Sequence, residues 1–167
     1  MINKNALEEI NKITVQLIEK FSPDKIILFS LRFNDWLEKA RRDLKSAVVL
    51  KENDCGNDMV AFHCQQAIEK ALKGYLLKNI GELVGGHSLV YLCKEANKFN
   101  AEFKNLLKDC AFVSQYYIET RYPADSPLIV SDEEADECIE IVRRILEFFE
   151  RKINMALENQ RFYKVFL

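Results

Sequence analysis

The stretch from Asn57 to Asn79, NDMVAFHCQQAIEKALKGYLLKN, constrains this chain more than any other. It has one glycine, Gly74, and no proline, and it is too long for an ordinary strand. On a helix, where each residue advances by about 100°, Ala61, Cys64, Ile68, Ala71, Leu72 and Tyr75 fall on one broad side. That side is a core face. His63, Gln66, Lys70 and Lys73 form a second stripe, with Met59, Phe62 and Leu77 interleaved among them. An ordinary surface helix would be plainly solvated there. A mixture of amide, imidazole and ammonium groups with large apolar side chains implies that something docks on this side. Periodicity leaves open whether that is a protein surface or a ligand.

The rest of the chain reads the same way. Only Gly56, Gly74, Gly81, Gly85, Gly86, Pro23, Pro123 and Pro127 interrupt 167 residues, so helices dominate. Residues 5–20 carry Leu7, Ile10, Ile13, Leu17 and Ile18 along one side, and Ser22-Pro23-Asp24 ends that helix. Lys25 to Ser30, KIILFS, reads as a short buried strand. A lone strand lacks a partner within the chain, so it either pairs with another subunit or is absorbed as a loop or helical turn. Phe33 to Leu50 is a helix with Trp36, Leu37, Ala40, Leu44, Ala47 and Val48 inward and Arg41, Arg42 and Lys45 on or near its outer side. After the 81–86 loop, a helix opening at His87-Ser88 buries Leu89, Leu92, Cys93 and Ala96. Another from Ala101 to about Glu119 buries Leu106, Leu107, Cys110, Ala111, Ser114, Tyr117 and Ile118. Residues 120–130 are irregular because of two prolines. Ser131 and Glu134 then form a capping box for a long last helix bearing Ala135, Cys138, Val142, Ile145 and Phe149.

The expected fold is all-α: an antiparallel up-and-down bundle of four to five helices over residues 32–157. A short helix-strand appendage (1–31) precedes it, and a tail (158–167) with no clear period follows. The net charge of −2 gives no bulk attraction to nucleic acid or anionic membranes. Five scattered cysteines, three of them at helical core positions, suit a reduced cytoplasmic protein better than a disulfide framework. No apolar run reaches the roughly 18 residues of a spanning helix, so no membrane partner is expected. No histidine and cysteine pattern has zinc spacing, and no metal or cofactor is expected.

Three local signals make the bundle resemble the HEPN domain (higher eukaryotes and prokaryotes nucleotide-binding). They are AFHCQQAIEKALKGYLL, His87-Ser88-Leu89 after a glycine loop, and Tyr117 with Arg121-Tyr122-Pro123 before the last helix. The segment LIEKFSPDKIILFS resembles the opening helix and first strand of the minimal nucleotidyltransferases, which are encoded beside HEPN partners. Neither the Gly-Ser turn nor the paired metal-binding aspartates of that family follow it. The resemblance therefore implies a nucleotidyltransferase remnant without transferase activity.

That resemblance implies a nucleotide- or RNA-associated binding module, homodimeric, working with a minimal nucleotidyltransferase in a toxin-antitoxin-like pair. The candidate ligand-binding residues are His63, Gln66, Lys70, Lys73, His87, Tyr117 and Arg121. Each has a plainer reading. The stripe could be a dimer seam or a solvated face, Arg121 could pair with a carboxylate, and His87 with Ser88 could cap a helix. HEPN ribonucleases carry an arginine followed closely by a histidine. Here the only histidines, His63 and His87, both precede Arg121, so no catalytic residue is assigned and the expectation leans away from an enzyme. The alternatives are an RNA-cleaving toxin that pairs His63 with Arg121, and a purely structural oligomeric protein.

Overall fold

The computed structural model describes the backbone over residues 23–116 and 129–165, with side chains over 32–116 and 129–152. Among the described residues it forms α1 (Pro23–Glu52), α2 (Asn57–Ile80), α3 (Leu89–Asn97), a 3-10 helix (Ala101–Leu106), α4 (Leu107–Ser114) and α5 (Asp132–Val165), with no strand. The all-α bundle expected from the sequence is what the chain forms. The strand expected over Lys25–Ser30 is helical instead, as the first turns of α1. The reason is that a strand here lacks a hydrogen-bonding partner, whereas each residue added to an existing helix gains a backbone bond. Pro23 suits this start, because its fixed φ and missing N–H cost nothing at a first helical position. The helix expected over 5–20 and the irregular segment around Tyr122-Pro123 lie outside the described residues.

α1 and α2 form an antiparallel hairpin and pack along most of their length. Gly74 makes the close approach possible: a Cβ there would sit 2.6 Å from the Trp36 Cβ on α1. Gly81 ends α2 with φ at 85°, and its N–H donates to the Leu77 carbonyl at 2.9 Å. α5 lies against both helices, parallel to α2. At one end Asn57 Nδ2 donates to the Val130 carbonyl at 3.1 Å, and Lys51 pairs with Asp132. Toward the other, the rings of Phe33 and Phe149 lie 6.1 Å apart and Arg41 pairs with Glu150 at 2.9 Å. The capping box is present: Glu134 N donates to Ser131 Oγ at 3.2 Å, and Ser131 N to Glu134 Oε2 at 2.9 Å.

α2 is the centre of the core. Ala61, Cys64, Ile68, Ala71 and Leu72 are fully buried, as are Leu89, Leu92, Cys93 and Ala96 of α3. The expected phase holds at Cys110 but slips elsewhere over residues 101–116. There Phe103, Cys110, Val113 and Tyr116 are buried, while Ala111 is exposed. The 3-10 helix explains the slip, since about 3.0 residues per turn instead of 3.6 rotates the inward face. Phe103 sits in an aromatic cluster with Tyr75, Phe148 and Phe149, at ring distances of 4.6, 5.1 and 5.6 Å. Cys64, Cys93, Cys110 and Cys138 are buried free thiols, and Cys55 is exposed.

Candidate functional site

On the second side of α2 the charged groups are paired within the chain, while Met59 stays 40% exposed. Two residues there, Gln65 and Glu69, are the buried polar side chains among the described residues, exposed by 0% and 6%. They are four apart, so they stack on one face one turn from each other. Gln65 Nε2 and Lys73 Nζ donate to Glu69 Oε2 and Oε1, each at 2.9 Å, and His87 Nδ1 lies 2.9 Å from Oε1. An ionised carboxylate only accepts, so the His87 proton is assigned to Nδ1. Gln65 Nε2 also donates to the His87 carbonyl at 3.2 Å, and Gln65 Oε1 accepts from Gln66 Nε2 at 2.7 Å. Burial alone would raise the Glu69 pKa. The hydrogen bonds from Lys73, Gln65 and His87 outweigh that and hold the carboxyl below the ordinary glutamate range. This network docks the loop before α3 onto α2. Ser88 then caps α3, accepting from Tyr91 N at 3.3 Å.

A second cluster joins α2 to α1. Asp43 Oδ1 lies 3.2 Å from His63 Nδ1, and Asp43 Oδ2 accepts from Lys70 Nζ. Asp43 fixes the tautomer of His63 as Glu69 does that of His87, leaving Nε2 as the ring's remaining polar atom. The His63 ring borders an open cleft of about 450 Å³, lined also by Arg42, Lys45, Ser46, Val49 and Leu50. Arg42 and Lys45 are exposed, and Arg42 meets Glu38 only loosely, at 3.8 Å with 76% of its side chain accessible. Asp43 is already matched by Lys70, so the cleft carries a positive excess. Its chemistry is that of an anion site: a guanidinium and an ammonium over an apolar floor, with an oriented imidazole able to exchange a proton.

The structure thus separates the sequence-derived candidates into two groups. His63 and Lys70 meet at Asp43, while Lys73 and His87 meet at Glu69, with Gln66 joined through Gln65. Tyr117 and Arg121 lie outside the described residues. Asp43, Gln65 and Glu69 were not among the candidates. A sequence signal existed for Gln65 and Glu69, two polar residues at helical spacing beside a core stripe. Asp43, in a charged run, offered none.

The HEPN domain matches residues 33–152. "Putative toxin MJ1304" of Methanocaldococcus jannaschii is 27% identical over 126 residues, covering 67% of this chain and 82% of that protein. The crystal structure of TT1696 from Thermus thermophilus superposes with a TM-score of 0.62 at 33% identity, covering 72% of this chain and 98% of that one. The crystal structure of ST0689, described as an archaeal HEPN homologue, gives a TM-score of 0.57 at 30% identity over 73% of this chain and 98% of its own. A helical bundle with these matches defines a class, and this chain belongs to the HEPN domain family. Among the described residues no helix is long and apolar enough to cross a membrane.

Proposed function

We propose that this chain is the HEPN component of a toxin-antitoxin-like pair, a homodimeric module that binds a nucleotide or RNA and works beside a minimal nucleotidyltransferase. The observation that carries the reading is the imidazole of His63, held at Nδ1 by Asp43 and bordering the cleft of Arg42 and Lys45. A cationic cleft with an apolar floor suits a phosphate group next to a less polar moiety. The toxin name of the archaeal relative supports the pairing. Binding of a labelled single-stranded RNA and of nucleoside phosphates, with and without the nucleotidyltransferase, tests it. Arg42→Glu with Lys45→Glu is expected to weaken binding by roughly tenfold or more. No binding to any of these would leave only a structural, oligomeric role.

A second reading is RNA cleavage. An imidazole oriented by a carboxylate can take a proton from a ribose hydroxyl. Growth arrest on expression of the chain alone, relieved by His63→Ala, would favour it. Arrest that persists in His63→Ala would count against it.

A further inference from the structure

Fifteen residues further along α2, about 22 Å from His63 by helical rise, lies a second pocket, of about 200 Å³, lined by Phe33, Tyr75, Lys78, Asn79, Asn100 and Lys152. Lys78 is anomalous. It is half-buried, its Nζ sits 5.6 Å from the centre of the Phe33 ring, and it has no carboxylate partner among the described residues. Burial is the cause that holds its pKa below the ordinary lysine value. The other two lysines of α2 are matched: Lys70 by Asp43 and Lys73 by Glu69. A cation kept out of water without a counter-charge is costly unless something else supplies one.

We infer that this pocket is a binding site for a phosphate group, held by Lys78 of α2 and Lys152 of α5. The donors for it come from three parts of the fold: α2, the turn before the 3-10 helix, and α5. Asn100 Oδ1 already accepts from Glu102 N at 3.0 Å, so its Nδ2 is left to donate. Asn79 Nδ2 uses one hydrogen on the Tyr75 carbonyl at 2.7 Å and keeps a second. The Tyr75 phenol, kept protonated by burial and by Glu102, adds an O–H. Lys152 pairs with Glu102, but that carboxylate is 58% exposed and can turn to solvent, releasing the ammonium to the ligand. The pocket's lining holds two ammonium groups and no carboxylate, and Glu102 bears on it through its pair with Lys152, so the pocket's net charge is positive before a ligand enters. Two ammonium groups and two carboxamides suit an anion with several oxygens better than a single carboxylate. The site is independent of the cleft at His63, and its failure would leave that reading standing.

The experiment is a heteronuclear NMR titration of the full chain with inorganic phosphate, against sodium chloride at matched ionic strength. The expected result is saturable shifts of the Asn100 side-chain amide and of the Lys78 backbone amide with phosphate and none with chloride. Binding should fall by roughly tenfold or more in Lys78→Met and Lys152→Gln, and persist in Lys94→Met on the exposed side of α3. Lys78→Met removes a desolvated charge, so it is expected to fold, and its amide spectrum checks that. A parallel titration with glycerol 3-phosphate separates the sources: tighter binding assigns a phosphomonoester, and equal binding assigns the free anion. Non-saturable shifts, the same shifts with chloride, or unchanged affinity in Lys78→Met would overturn the site.

Discussion

His87 Nδ1 lies 2.9 Å from Glu69 Oε1, so a residue of the loop before α3 and a buried carboxylate of the central helix hold each other in place. Beside that contact the loop is held by Gln65 on the His87 carbonyl and by Val84 against the core, while Leu83 is 52% exposed and nothing lies within 4 Å of where a Cβ would stand at Gly85 or Gly86. The histidine that sequence reasoning offered as a ligand contact or a cap therefore also acts as a tether. Glu69→Gln is expected to destabilise the fold by about 3 kcal/mol, because Lys73 would remain buried without its partner. Urea unfolding at neutral pH checks this.

The same carboxylate gives a pH dependence of known sign. The Glu69 pKa is lower in the folded chain than the ordinary glutamate value. Its contribution is therefore complete above the unfolded-state pKa, about 4.3, and is lost as pH falls through the folded value. Stability measured from pH 6 down to pH 3 should decline in the wild type and decline less steeply in Glu69→Gln. Equal slopes would show that other carboxylates dominate acid unfolding.

Much of this fold was legible because its signals are local. The core face of α2 and the buried residues of α3 follow from helical spacing, and the capping box at Ser131 and Glu134 was readable from four consecutive residues. Two things were not legible. Phe103 is buried because a 3-10 helix shifts the phase, and spacing arguments assume the α period. Asp43 meets His63 and Lys70 only through the packing of α1 on α2, a long-range fact no window of sequence contains. The apolar KIILFS run failed for a related reason, since an apolar strand and apolar helical turns look alike over so short a span.

Gly74 tests the closeness of α1 and α2. An added methyl would lie 2.6 Å from the Trp36 Cβ and 3.1 Å from Phe33 Cδ2, and backbone-attached atoms cannot easily yield. Gly74→Ala gains helix propensity, about 1 kcal/mol, but overpacking of this kind costs about 1–3 kcal/mol. The expected net result is a neutral to clearly lower unfolding midpoint. A rise by the full propensity gain would show that the helices can separate freely.

Thiol labelling reads the core directly. Cys55 is exposed and should react at once with a thiol reagent in the native protein. Burial pushes the thiols of Cys64 and Cys138 up, the latter to about 12, so neither forms appreciable thiolate at neutral pH. One rapid equivalent and four that appear only on unfolding is the expected result. A second rapid equivalent would place a local opening at one of the four helical cysteines.

The lysines of the second stripe separate folding from binding. Lys73 is 12% exposed and paired with a carboxylate that is itself buried. Lys73→Glu would set two carboxylates against each other in a low-dielectric site, so lower helicity or a lower unfolding midpoint is expected, and any loss of ligand affinity would follow from that. Arg42 and Lys45 are exposed on α1, where substitutions away from special features change stability by about 0.5 kcal/mol or less. Arg42→Glu with Lys45→Glu should leave the unfolding midpoint nearly unchanged while weakening RNA or nucleotide binding. If the Lys73 variant keeps its stability yet loses binding, and the Arg42 and Lys45 variant binds normally, the contact surface belongs on the central-helix stripe and not in the cleft beside His63.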